Sequence, residues 1–119
     1  MATDMNQQLG LFERRIVTIN AHGLTLEQQF AEFHQANPHV YSALRHLALD
    51  AARHGRRLGI GMLFEVLRWQ YAMTTTDEAS EFKLNNNYRA FYARLLMERE
   101  PELQDYFETR TQTWQTVKQ

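Results

Sequence analysis

Three successive asparagines, Asn85, Asn86 and Asn87, form the part of the sequence with the clearest capacity for binding chemistry. Lys83 precedes them and Arg89 follows them. Asparagine amides can pair with the edge of adenine, whereas lysine and arginine favour guanine and phosphate oxygens. A helix that begins here would add free backbone N–H groups and the positive end of its dipole, which attract anions. The segment is therefore a candidate nucleic-acid contact, unless one asparagine caps the helix and the others only hold a turn.

Three arginines form a second candidate site. Arg53, Arg56 and Arg57 lie at the predicted end of a helix and in the turn that follows it. Gly59 and Gly61 flank the predicted start of the next helix, and arginines beside such a glycine-rich segment could hold a phosphate. The segment lacks the Gly-Lys-Ser/Thr sequence of a P-loop. The alternative is that the arginines are solvated and only complement the dipole at the end of the preceding helix.

The five histidines are the remaining candidates for metal or catalytic chemistry: His22, His34, His39, His46 and His54. His39 and His46 share a face of one predicted helix but lie roughly 10 Å apart, too far to bind a single ion. Cysteine is absent, which excludes thiolate catalysis and cysteine-based zinc sites. No nucleophile stands in a pattern with a general base. We therefore expect no metal, no cofactor and no enzymatic activity.

The composition is typical of a folded cytoplasmic protein. The 119 residues are 44% hydrophobic and 23% charged, which suffices for one domain with its own core. The lack of cysteine favours a reducing compartment. The first ten residues lack the features of a signal peptide, and no apolar stretch matches the length of a membrane span. We expect a cytoplasmic protein without a membrane partner.

The net charge of −1 conceals a basic central block. Residues 1–37 carry two basic and four acidic side chains, residues 38–94 carry eight and five, and residues 95–119 carry three and five. Phosphate binding depends on where the cations lie, so the middle of the chain is the part suited to a polyanion.

Capping signals and helical periodicity predict three helices in the first part of the chain. Thr25 and Gln28 match a capping box, and the apolar residues after them recur at helical spacing. Pro38 ends that helix and can open the second, which stops near Gly55. A third apolar pattern at helical spacing, residues 63–71, follows.

The region after the third helix combines a predicted loop with further helices. Residues 73–81 show no helical period, and residues 71–75 and 81–84 could pair as a short β-hairpin. The asparagines then begin a fourth helix, and Pro101 opens a final short one. Trp69, Tyr88 and Tyr92 have the spacing of core residues, although one of the two tyrosines could stack on a base.

The predicted fold is mainly α, a single domain of four to five helices that a short hairpin would make winged-helix-like. Residues 1–24 are expected to form an N-terminal tail or strand segment, residues 25–110 the helical domain and residues 111–119 a C-terminal tail. This order of elements occurs in helix-turn-helix domains and equally in other small helical folds, so it does not decide the function.

Two stretches of the sequence resemble a family of small phage and prophage proteins of unassigned function. They are residues 59–69, GIGMLFEVLRW, and residues 82–97, FKLNNNYRAFYARLLM. Further likeness lies in residues 33–41 and around Pro101 and Phe107. The resemblance implies a phage genetic context, in which small intracellular proteins act mostly on DNA, on transcription or on host machinery.

Two functions are consistent with these patterns. The first is a phage-type DNA-binding accessory or regulatory protein, which the basic central block, the asparagine segment and the predicted wing favour. The second is a small phage protein that binds and modulates a host protein, which the acidic ends and the near-neutral net charge favour. Either function is compatible with a homodimer. Convergence of the charged residues of 53–57 and 83–94 on one exposed face would favour DNA binding.

Overall fold

Helices form most of the chain that the structure describes. The computed structural model describes residues 16–74 and 84–107. Within these ranges the α-helices are α1 (Leu26–Ala36), α2 (Pro38–Arg53), α3 (Ile60–Thr74) and α4 (Arg89–Arg99). Two 3-10 turns, Asn86–Tyr88 and Pro101–Leu103, precede and follow α4. The prediction of a mainly helical fold is confirmed, and none of these four helices has the length and apolar content that a membrane span requires.

α1 begins and ends where local sequence signals predict. The Thr25 hydroxyl accepts a hydrogen bond from the Gln28 N–H at 3.2 Å, and the Gln28 side chain accepts one from the Thr25 N–H at 2.9 Å. This reciprocal pair is the predicted capping box, and it satisfies N–H groups that a helix start leaves free. Only Asn37 separates α1 from α2, whose first residue is Pro38. Proline is favoured there because the missing N–H would have no helical partner.

Asn37 ties the segment before α1 to the corner between α1 and α2. Its side chain is completely buried. The Asn37 Nδ2 donates to the carbonyls of Val17 at 2.9 Å and Phe33 at 3.0 Å, and its Oδ1 accepts from the Val17 N–H at 2.6 Å. Ile16 and Ile19 pack half-buried against the core on either side of this attachment. Residues 16–21, which belong to the predicted tail or strand segment, are therefore attached to the helices without forming a strand.

The core lies where α2, α3 and α4 pack together. Each helix contributes buried side chains at helical spacing: Val40, Leu44 and Ala48 on α2, Leu63, Phe64 and Leu67 on α3, and Tyr92, Ala93 and Leu96 on α4. The ring of Tyr92 meets Phe30 of α1 at 4.8 Å between centroids and Phe64 at 6.0 Å, both edge to face. Aromatic contacts thus join α1 to the three-helix core.

The first arm of the predicted β-hairpin is helical. α3 continues to Thr74, so residues 71–74 form its last turn. Tyr71 is buried, as are Phe64 and Leu67 seven and four positions earlier. Burial of Tyr71 on the same helix face as Phe64 and Leu67 outweighs the local preference for a strand, which is why the prediction was wrong for these residues. Residues 73 and 74 of the predicted loop are helical as well. Residues 75–83, which hold the rest of that loop and most of the second arm, lie outside the described residues.

The predicted final short helix is a single 3-10 turn that still packs on the core. Leu103 is fully buried and Phe107 nearly so. Two ion pairs join the turn to α2. The Arg45 Nε lies 2.5 Å from a Glu100 carboxylate oxygen, and Arg53 binds both carboxylate oxygens of Glu102 at 2.8 and 3.0 Å. The C-terminal part of the described chain therefore packs against both α2 and α4.

His34, on α1, lies in an aromatic environment that disfavours its protonated form. Its ring stacks on Phe30 at 5.8 Å between centroids and meets Tyr41 and Tyr92 edge to face. Burial lowers the pKa of His34 from its ordinary value, and the positive charge of Arg99 lowers this pKa further. The folded protein therefore favours the neutral imidazole.

We expect a loss of stability on acidification that depends on His34. The unfolded chain binds this proton near pH 6.5 and the folded protein binds it more weakly. The stabilising contribution is complete above that pH and is lost as the pH falls through the lower folded-state pKa. Thermal melts at pH values of about 7.5 and 5.5 measure this loss as a fall in Tm. The fall between the two pH values should be smaller in His34→Gln than in the parent. His22→Gln, at an exposed histidine before α1, should keep the parental fall. The same fall in both variants would contradict the assignment.

Candidate functional site

A groove opens between the loop that joins α2 to α3 and the start of α4. Its volume is about 710 Å³. It is lined by residues 57–62, by Asn86 and Asn87, by the first turns of α4 and by residues 106–107. Among the described side chains that line it, Arg57 and Arg89 are cationic and none is acidic. The groove therefore has the charge of an anion-binding surface.

A glycine-dependent turn at the end of α2 leads the chain to the groove. Gly55 has a φ of +69°, a left-handed conformation that residues with a Cβ rarely adopt. The Arg56 N–H donates to the Ala51 carbonyl at 2.8 Å and the Gly55 N–H to the Ala52 carbonyl at 3.0 Å, which is the Schellman motif. The chain then turns sharply enough for Arg57 and the first N–H groups of α3 to reach the same groove.

Arg57 is held at the groove by the C-terminal segment. Its Nε donates to the Tyr106 carbonyl at 3.0 Å and its Nη2 to the Asp105 carbonyl at 2.7 Å. The Tyr106 hydroxyl donates to the Arg56 carbonyl at 2.7 Å and accepts from the Leu58 N–H at 2.9 Å. These four bonds fix the loop and the arginine relative to the core. A guanidinium has five N–H donors, so donors remain for a ligand after these two bonds.

The three asparagines have three different roles. Asn85 caps the 3-10 turn, because its Oδ1 accepts from the Asn87 N–H at 2.8 Å. Asn86 accepts from the Arg68 guanidinium, which also donates to the Leu84 carbonyl at 2.8 Å. The side chain of Asn87 is exposed and makes no hydrogen bond to another described residue. Asn85 and Asn86 thus make contacts within the protein, whereas the exposed Asn87 is among the residues that line the groove.

Arg89, the first residue of α4, approaches α3 closely. Its Nε donates to the Asn86 carbonyl at 3.0 Å. Its Nη1 lies 3.4 Å from the position that a Cβ would occupy at Gly61. A Cβ at position 61 would therefore be in van der Waals contact with this guanidinium.

The structure separates the eight residues predicted to bind nucleic acid. Four of them line the groove: Arg57, Asn86, Asn87 and Arg89. Asn85 is not part of the lining and caps the 3-10 turn. Arg53 binds Glu102 and Arg56 is exposed outside the lining of the groove. Lys83 lies outside the described residues. The two predicted clusters thus converge in part, through Arg57 and residues 86–89.

Several arginines in or near the basic central block form ion pairs or ring contacts within the protein. Arg45 and Arg53 pair with glutamates of the C-terminal segment. The Arg94 guanidinium lies over the Phe91 ring at 5.1 Å and that of Arg99 over the Tyr41 ring at 5.3 Å. Because glutamates offset the charge of Arg45 and Arg53, the charge count alone overestimates the cationic surface that a polyanion can use.

α3 carries an exposed apolar face that the sequence pattern did not reveal. Met62, Trp69 and Met73 are 55%, 63% and 65% exposed, and we call these three residues the α3 stripe. They are separated by seven and four positions, which places them on one side of the helix. Trp69 was predicted to pack in the core, whereas Tyr88 and Tyr92, considered as base-stacking residues, are buried.

Within residues 16–74 and 84–107, no three histidine or acidic side chains gather into a set that could hold a metal ion. Comparison with models of protein families, with curated proteins and with solved structures finds no match. The groove and the α3 stripe are therefore the surfaces from which a function can be inferred.

Proposed function

We propose that this protein binds nucleic acid through the groove, as a DNA-binding accessory or regulatory protein of phage type. The observation that carries the proposal is the convergence of Arg57, Asn87 and Arg89 on the start of α3, with no acidic side chain in the described lining. Guanidinium groups bind phosphate oxygens with two parallel hydrogen bonds, and an amide can pair with a base edge. The groove combines both kinds of donor at one place.

The start of α3 adds backbone donors to these side chains. The first N–H groups of a helix have no helical acceptor, and they carry the positive end of the helix dipole. Nothing lies within 4 Å of the position that a Cβ would take at Gly59, so a ligand can approach the backbone there. A phosphate that contacts this backbone would meet Arg57 and Arg89 in the same groove.

In a winged-helix-like arrangement, α3 would be the second helix of a helix-turn-helix. Bidentate contacts to purine edges in the major groove of a duplex come from arginine, lysine, asparagine and glutamine. The exposed side of α3 instead carries Met62, Glu65, Trp69 and Met73. We therefore propose that the polar contacts involve the first turn of α3 and the asparagine segment, and not the length of the helix.

Matched variants test the proposal. Arg89→Ala should weaken binding of fluorescently labelled DNA and reduce the magnitude of its salt slope by about one unit, because one phosphate contact is lost. Arg53→Ala removes the same charge from an arginine that pairs with Glu102, so it should leave affinity and slope close to the parental values. Equal losses in both variants would mean that only net charge matters, and absence of DNA binding by the parent would refute the proposal.

Asn87→Ala tests base recognition without a loss of the cap. If Asn87 contacts a base, the change should cost about 1–3 kcal/mol of binding free energy on a preferred sequence and much less on random DNA. Asn85→Ala is the control for capping, since it should lower stability by about 1 kcal/mol and leave the ratio of the two affinities unchanged.

A host protein is the second candidate partner, and the α3 stripe is the observation that favours it. Met62, Trp69 and Met73 form a row of exposed apolar side chains on one helix. Aromatic and methionine side chains are enriched at the centres of protein interfaces.

A further inference from the structure

The groove and the α3 stripe are adjacent, because Met62 belongs to both. We infer that the groove binds single-stranded nucleic acid and that Trp69 stacks on an unpaired base beyond the groove. This inference rests on the proposed function of the groove and specifies which form of nucleic acid it takes. Proteins that hold single strands combine a cationic groove for the backbone with aromatic side chains on which bases stack.

The spacing along α3 suits one short stretch of strand. Trp69 lies seven residues after Met62, which corresponds to about 10 Å along the helix axis and a rotation of only about 20°. A strand whose phosphate contacts Arg57 or Arg89 would therefore reach Trp69 within a few nucleotides. Met73 continues the same face one turn further and extends the apolar surface beside the indole.

The chemistry of this face favours unpaired bases over a duplex. The edges of paired bases offer hydrogen-bonding groups, for which Met62, Trp69 and Met73 have almost no partners. The face of an unpaired base is apolar and polarizable, and it can stack on an indole that is 63% exposed. A paired base inside a duplex cannot present that face without being unstacked.

Two neighbouring features are compatible with a strand on this surface. Glu65 is the acidic residue on the same side of α3, and its carboxylate pairs with the Arg68 guanidinium at 2.5 Å. The guanidinium therefore neutralises the one carboxylate that α3 holds among the described residues. Tyr88 and Tyr92 are 4% and 0% exposed, so they cannot stack on a ligand. Among the aromatic residues of α3 and α4, Trp69 is the exposed one.

The test compares labelled oligothymidine, oligouridine and a DNA duplex of equal length, bound to the full chain at one salt concentration. The inference predicts tighter binding of the single strands than of the duplex. Trp69→Ala should weaken single-strand binding roughly 5- to 150-fold, the range expected for one base stack, and leave duplex binding unchanged. Trp69→Phe keeps an aromatic face and should recover part of the loss. Leu26→Ala, at an exposed apolar residue of α1 outside the groove, is the matched control and should bind as the parent does.

A spectroscopic measurement checks stacking independently of affinity. The chain has two tryptophans, so Trp114→Phe leaves Trp69 as the single indole fluorophore. Addition of oligothymidine should quench its emission if a base stacks on it.

Preferential duplex binding that depends on Arg89 would overturn the inference while leaving the proposed function standing. Absence of binding to any of the three nucleic acids would overturn both. Single-strand binding with neither quenching nor an effect of Trp69→Ala would overturn the role of Trp69, and self-association that Trp69→Ala abolishes would assign the stripe to a second copy of the chain.

Discussion

Replacement of Tyr92 by alanine should lower the free energy of unfolding by about 3–5 kcal/mol, the range for loss of a buried large aromatic side chain. Tyr92 has no exposed surface, and its ring lies against Phe30 of α1 and Phe64 of α3. Its removal would leave a cavity where three helices meet, and a close-packed core can fill such a cavity only in part. Chemical denaturation at constant pH, followed by circular dichroism at 222 nm, a wavelength that reports helix content, measures this loss.

The Tyr92→Phe variant separates the ring from its hydroxyl. The Tyr92 hydroxyl is buried and has no hydrogen-bond partner among the described residues. Burial also raises the pKa of Tyr92 far above that of a free phenol, so the group stays neutral. Because an unpaired buried hydroxyl is unfavourable, its removal should leave stability unchanged or increase it. A loss of more than about 1 kcal/mol in Tyr92→Phe would show that the hydroxyl has a partner.

Asn37→Ala should lower the free energy of unfolding by about 3 kcal/mol or more, because several backbone groups would lose their hydrogen-bond partner at once. The Asn37 amide bonds both the N–H and the carbonyl of Val17 and also the carbonyl of Phe33. Water cannot easily replace a side chain that is completely buried. We further expect the N-terminal segment to detach from the α1–α2 corner, which should appear as faster amide exchange at Val17.

A second asparagine provides the control for this prediction. Asn20 is exposed, and its side chain accepts one hydrogen bond, from the His22 N–H at 3.1 Å. Asn20→Ala should therefore change stability by less than about 1 kcal/mol, the scale of one exposed hydrogen bond. Similar losses in Asn20→Ala and Asn37→Ala would contradict the anchoring role of Asn37.

The same kind of long-range attachment determines which residues are available for the proposed binding. Arg57 is oriented by carbonyls of Asp105 and Tyr106, nearly fifty residues later in the chain. The C-terminal segment thus stabilises the core and also shapes one end of the groove. A variant that loosens this segment would alter the groove indirectly, so substitutions at Arg89 and Asn87 report on binding more directly than one at Arg57.

Local signals in the sequence determined the ends of the first two helices. The capping box of Thr25 and Gln28, the proline at position 38 and the glycine at position 55 act through contacts within a few residues. Such contacts are formed by the chain segment itself, so the sequence predicts them without knowledge of the rest of the fold. The cap by Asn85 belongs to the same class, although it precedes a 3-10 turn and α4 begins only at Arg89.

The end of α3 and the exposure of Trp69 depended on tertiary packing. Residues 71–74 have local strand preference, but they continue α3, and Tyr71 is buried there. Periodicity placed Trp69 on α3 and predicted that it packs in the core. It could not show that the neighbouring helices cover the opposite face, because the position of a helix against its partners is set by contacts between distant segments.

The sequence by itself determined a mainly helical chain with a basic central block and an asparagine-rich segment before its fourth helix. Only the tertiary structure decided which of those cations and amides face a common groove. Arg53 and Arg57 are four positions apart, yet Arg53 pairs with Glu102 while Arg57 lines the groove. The physical reason is that the availability of a charged side chain depends on its partners in space, and the partners of both arginines lie almost fifty residues away along the chain.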